Sequence, residues 1–224
     1  MNSANMSQQL ETAEYLATLV AEHAHGRVPR ELRRRQVLAV ATELFIDRGF
    51  LSASMDEIAR RVGVSKPVVY ELVGSKEALF HEVVQAEIAR LGERVEAAVN
   101  AEPDPTEKLR AGTLAFFRFI SERRAAWRSL MAMPEASMTS EMAGARRVHA
   151  RLVASLLMRS AAESGIDADP IVIDAVAHAI NGASEALALW WHAHPELSAE
   201  ALAEIATQLV APGLLAFSNP GRTG

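Results

Sequence analysis

Apolar residues return at helical spacing along most of the chain, and no stretch keeps the two-residue alternation of a strand. From Arg30 to Arg48 the repeat is Val37, Val40, Ala41, Leu44 and Phe45, and Gly49 ends it. Ser54-Met55-Asp56-Glu57 then reads as a capping box opening a short helix with Met55, Ile58, Ala59 and Val62 on one stripe. Gly63 turns the chain and Ser65 caps a second short helix, with Pro67 tolerated in its first turn and Gly74 at its close. Ser75-Lys76-Glu77 starts a longer helix running to about Asn100. Beyond the break at Glu102-Pro103-Asp104-Pro105, helices are expected over Thr106 to Glu122, Ser140 to Glu163, Pro170 to Trp191 and Ser198 to Leu215. Residues 8–25 carry a weaker pattern, with Leu10, Leu16, Leu19 and Val20, and poorly marked ends. The fold expected is therefore all-α.

Composition narrows the function classes. The chain has 224 residues, 50% hydrophobic and 23% charged, which suits one large domain or a small one joined to a larger one. With no cysteine, disulfides, thiolate metal sites and a cysteine nucleophile are excluded. The start of the chain is polar and no window nears ~18 uninterrupted apolar residues, so neither a signal peptide nor a membrane span is expected. A net charge of -5 argues against a polyanionic partner. Its distribution reverses that reading. Residues 1–26 hold no base and three acids, residues 27–76 hold ten bases against six acids, and residues 77–224 hold 13 bases against 19 acids. A basic module of about fifty residues beside an acidic remainder is the footprint of a small nucleic-acid-binding part, or else a solvated charged face.

Two short helices joined by a Gly-containing turn suit a helix-turn-helix, whose second helix enters the major groove, and equally an ordinary helical hairpin. The wider string is more specific. It runs through Ala41-Thr42-Glu43-Leu44-Phe45, Arg48-Gly49-Phe50, Ser54-Met55-Asp56-Glu57-Ile58-Ala59, Gly63-Val64-Ser65-Lys66-Pro67, Tyr70 and Ser75-Lys76-Glu77-Ala78-Leu79-Phe80. This resembles the N-terminal DNA-binding domain of the TetR family of bacterial transcriptional regulators, over about residues 31–91. Val73 departs from the family's usual aromatic, and Glu71 stands where a basic, aromatic or polar residue is often found.

The resemblance implies three segments: an extension over 1–29 whose order the pattern leaves open, a helix-turn-helix domain over 30–91, and a helical effector-binding and dimerisation domain over 92–218. It implies phosphate contacts from Ser54, Tyr70 and Lys76, and base reading by Ser65, Lys66, Pro67 and Val68. Arg30, Arg33 and Arg34 would form an arm along the backbone or in the minor groove. Ser54 and Ser65 are equally read as caps alone, and Tyr70 as a packing ring. The function implied is a repressor that binds palindromic operator DNA as a homodimer and is released by a small apolar or amphipathic effector. It would act in the cytoplasm, on the nucleoid when bound to DNA, with no cofactor and no membrane partner.

Within the larger domain, Ala175, Ala179, Gly182, Ala183 and Ala186 leave room for a close helix neighbour, in a dimer or within one bundle. The ligand pocket implied by the resemblance would draw on Phe116, Phe117, Trp127, Met131, Met133, Met138 and Met142, although core packing accounts for such residues too. Asn181 and Glu185, polar among small apolar neighbours, are the sharper ligand candidates, and would alternatively bond across a dimer. An enzyme finds little support. His23 with His25 and His192 with His194 are spaced i, i+2, which points side chains apart on a helix, and no phosphate loop, nucleophile elbow or paired-carboxylate motif occurs.

Overall fold

The computed structural model describes residues 12–23, 27–124 and 135–217, and within the helices side chains are described except at 135–143, 145, 146 and 215–217. Every regular element among the described residues is a helix: α1 (Ala13–Ala21), α2 (Arg30–Ser52), α3 (Met55–Val62), α4 (Lys66–Val73), α5 (Lys76–Asn100), α6 (Pro105–Glu122), α7 (Glu135–Glu163), α8 (Pro170–Trp191) and α9 (Ala199–Phe217). Two compact units result, and the division falls inside α5, between Val84 and Gln85.

In the first unit the expected periodicity becomes the core. Val37, Val40, Ala41, Leu44 and Phe45 of α2 are buried against Met55, Ile58, Ala59 and Val62 of α3, Val69 and Val73 of α4, and Leu79, Phe80 and Val83 of α5. Burying an aliphatic side chain of this size contributes about 1.5 to 3 kcal/mol, so this short segment holds a core of its own. Gly49, at φ 75°, interrupts α2 where the sequence expected its end. The following residue, Phe50, lies 4.7 Å from the Phe80 ring and 6.1 Å from that of Phe45. The aliphatic Val73 is buried beside this aromatic group's helix, at the position where the resemblance expects a ring. The N-terminal extension is partly built into the unit: Thr12 caps α1, which packs on α2 and buries Leu16.

The second unit comprises the rest of α5 with α6 to α9. Helix α6 buries Phe116, Phe117, Phe119 and Ile120, and packs against α9 through Leu202, Ala203 and Ala206, while α7 packs against α8. Trp191 closes α8, its ring edge-on to Phe117 at 6.0 Å and its Nε1 donating to the Leu197 carbonyl at 2.8 Å. Asp104 and Asp169 cap α6 and α8 ahead of Pro105 and Pro170, which stand where a missing N–H costs nothing. Helix α8 is long and apolar enough to cross a membrane, but Asp174, His178, Asn181 and Glu185 interrupt it and its inner side lines a cavity within the unit.

Candidate nucleic-acid interface and ligand cavity

Helices α3 and α4 are set by the three residues between them. Gly63 sits at φ 76°, ψ 35°, and its N–H and that of Val64 both reach the Ala59 carbonyl, at 2.9 and 3.0 Å. That left-handed closure ends α3 within one residue and sends the chain into α4. At the start of α3 the Ser54 hydroxyl accepts from the Glu57 amide at 3.1 Å. With Val69 and Val73 turned to the core, Ser65, Lys66, Pro67, Val68, Tyr70 and Glu71 are left on the exposed side of α4.

The charges around this face are mostly tied to one another. Lys66 bonds Asp56 at 2.8 Å, which raises its pKa. Arg30 donates to the Glu71 carboxylate at 3.1 Å and to the Glu71 carbonyl at 2.9 Å. Arg33 donates to Gln36 and to the Val62 carbonyl at the end of α3, and Arg34 holds Glu82 with two contacts of 2.7 Å. These three arginines therefore belong to the first turns of α2 and brace the unit, rather than forming a free arm, because acids and carbonyls of α3, α4 and α5 lie within their reach. Glu57 accepts from Arg48 and Arg61, with Arg60 at 3.7 Å. Burial pushes its carboxyl up, but the Arg61 hydrogen bond and the three positive charges outweigh that and hold it below its usual value.

Two further expectations change. Lys76 is partly buried, its ammonium 4.4 Å from the centre of the Phe50 ring, so it is a positioned cation rather than a mobile one; burial lowers its pKa, partly offset by Glu77. Ser65 occupies the N-cap position of α4 with extended backbone but makes no side-chain cap bond, which leaves its hydroxyl toward solvent.

The second unit contains a cavity of about 440 Å³ lined by α5, α6, α7, α8 and α9. Its wall is mainly aliphatic, from Val95, Val99, Leu109, Val153, Leu156, Leu157, Ile173, Val176 and Ile180. Gly112 lets α5 approach, since a Cβ there would meet Val99 at 3.0 Å. Its polar groups include Thr113, whose hydroxyl is spent on the Leu109 carbonyl at 2.8 Å, His149, Ser184 and Asn181, and Thr106, Lys108, Ser160, Ser164, Asp167 and Asp169 also stand on the lining. Burial lowers the His149 pKa, so the imidazole is neutral at pH 7, its ring edge-on to Phe116 at 6.0 Å. The Asn181 Nδ2 is buried without a hydrogen-bond partner among the described residues.

Two domain families match the chain: "Bacterial regulatory proteins, tetR family" over residues 37–83, and "Tetracyclin repressor-like, C-terminal domain" over 105–213. A TetR-like transcriptional regulator from Rhodococcus sp. RHA1 is 33% identical in sequence and superposes with a TM-score of 0.58, over 84% of this chain and 99% of its own. The chain belongs to the TetR family. A TetR-family regulator from Streptomyces coelicolor, 26% identical, gives a TM-score of 0.64 over 85% of this chain and 83% of its own. The HTH-type transcriptional activator FasR of Mycolicibacterium smegmatis is 46% identical over 95 residues, which span 42% of this chain and 43% of that protein. The HTH-type transcriptional regulator BetI of Rhizobium meliloti is 32% identical over 130 residues, or 57% and 63% of the two lengths. These are regulatory proteins, not enzymes.

Within this TetR-family chain, the expected reading residues stand together on α4, with Ser54 and Lys76 at the starts of α3 and α5. The roles of Asp56, Glu57 and Phe50, which hold Lys66, Arg48 with Arg61, and Lys76 respectively, were missed, because their partners lie from one turn to several helices away in sequence. Among the ligand candidates, Phe116 and Asn181 line the cavity. Phe117 does not: it is wholly buried between Phe116 and Trp191. Glu185 also lies off the lining, one turn beyond Asn181. Trp127, Met131 and Met133 lie outside the described residues, and Met138 and Met142 outside the described side chains. His149, Thr113 and Ser184 were not anticipated, since only the packing of separate helices brings them to one space.

Proposed function

We propose that this protein is a repressor that binds a palindromic operator as a homodimer and leaves it when a small apolar or amphipathic effector fills the cavity of the second unit. The observation that carries the reading is the face of α4, where Lys66, Pro67, Val68 and Tyr70 are exposed on a helix anchored by Val69 and Val73. Lys66 would reach guanine acceptors and Val68 a thymine methyl, while Ser54, Tyr70 and Lys76 bind phosphates and fix register. Arg30, Arg33 and Arg34 add positive potential near this face while bracing it. The tetracycline-repressor-like match of the second unit supports repression as the sign of regulation. Its place of action is the bacterial cytoplasm, on the nucleoid when bound to DNA.

Dimerisation is supported by α8 and α9. Ala175, Ala179, Gly182 and Ala186 are exposed along one side of α8, and Trp190, Ile205 and Leu209 are exposed nearby in the same two helices. Release is supported by α5, which begins with Lys76 in the first unit and contributes Val95 and Val99 to the cavity wall in the second. An effector that shifts α5 would change the spacing of two reading helices, and the coupling must be reciprocal, with operator weakening effector binding by the same factor. DNA-binding variants test the reading. Tyr70→Phe and Lys76→Ala weaken binding to all sequences, and Lys76→Ala lowers the salt slope by about one, whereas Lys66→Ala and Val68→Ala change base preference. Uniform effects from all four variants would contradict the assignment of α4 as the reading helix.

A further inference from the structure

The cavity is elongated, and its two ends differ. Pro105, Asp167 and Asp169 stand at an exposed end, and Phe116, His149 and Ser184 at a buried one. Along α6 the lining runs from Pro105 to Phe116, eleven residues on, which corresponds to about 16 Å of helix. Asn181 lies within one turn of Ser184 on α8, toward the buried end, and its Nδ2 is a buried donor with no acceptor among the described residues. A donor left so is costly unless something else accepts from it.

Charge in the lining limits what that acceptor is. Lys108 carries the fixed positive charge of the lining among the described residues, and its ammonium is already paired with Glu163. Asp167 and Asp169 add negative charge at the exposed end. An anion drawn into this space would lose its hydration with no unpaired cation among the described lining residues to replace it.

We propose that the cavity takes an elongated, uncharged, apolar ligand whose carbonyl oxygen accepts a hydrogen bond from Asn181 Nδ2 near the buried end. The proposal rests on reading the cavity as the effector site and names the effector's chemistry. Apolar walls on α5 to α9 hold the chain of the ligand, and the unmatched Asn181 donor sets its direction and depth.

Calorimetric titration of the purified full chain with 2-undecanone and with decanoate at neutral pH tests this. The expected result is that the ketone binds at least tenfold more tightly than the carboxylate. Asn181→Leu and the near-isosteric Asn181→Asp each weaken the ketone about tenfold while melting cooperatively without ligand. Unchanged ketone affinity in either folded variant, tighter binding of decanoate, or no ketone binding up to its solubility limit would overturn the proposal. DNA binding by the same wild-type preparation separates the two readings. Sequence-selective DNA binding alongside a failed ketone titration sinks the ligand chemistry alone, and a lack of selectivity alongside the expected titration sinks the regulator reading alone.

Discussion

Glu57 shows how one side chain can serve several purposes. Its amide is capped by Ser54, and its carboxylate gathers Arg48 and Arg61 with Arg60 close by, so three cations of the basic module are fixed around one acid at the start of α3. Because its pKa lies lower in the folded state than in the unfolded chain, its contribution to stability is complete above the ordinary carboxylate value and is lost as pH falls through the lower, folded one. Replacing it with Gln is expected to lower the melting temperature at neutral pH and to flatten its decline on acidification. Melting curves collected from neutral to acidic pH check this, and an unchanged acid limb would show that the arginines draw no stability from this carboxylate. The sequence pointed to the capping role of Ser54-Met55-Asp56-Glu57, but the cluster around Glu57 depends on how α2 and α3 lie together, which no local pattern encodes.

At the scale of the element, the turn between α3 and α4 decides where the reading helix points. Gly63 adopts a left-handed conformation, and a Cβ placed there would meet nothing within 4 Å, so a substitution strains the backbone alone. Gly63→Ala is expected to cost about 1 to 2 kcal/mol, measurable as a lower urea midpoint with an unchanged slope. A loss much larger than this would mean that the turn is crowded rather than strained. The elements themselves were legible because their signals are local: apolar spacing gave α2 and α3, Ser65, Gly74 and Ser75-Lys76-Glu77 bounded α4 and opened α5, and the break at Pro103-Asp104-Pro105 and Pro170 at a first helical position placed α6 and α8. The cavity was legible only in part. Asn181 stood out as a polar residue in an apolar helix, whereas Phe117 and Phe116 are neighbours with the same chemistry, and only packing decides that one faces the core and the other the cavity. Similarly, a run of arginines before an apolar helix looks like an arm until the partners of Arg33 and Arg34 are seen.

For the whole molecule, the net charge of -5 conceals a division of labour. Bases concentrate in the segment that carries α2 to α4, while the cavity-bearing part is acidic, an arrangement that favours attraction of DNA to one region and limits it elsewhere. The central claim is that this TetR-family chain reads a symmetric DNA sequence through α4 as a dimer. Selection of bound fragments from a random DNA pool at physiological salt tests it most directly. The account predicts enrichment of a palindrome whose half-sites lie about 34 to 36 Å apart, or a multiple of that, along the duplex. Recovery of fragments with no shared sequence, or of a single unrepeated half-site, would contradict it.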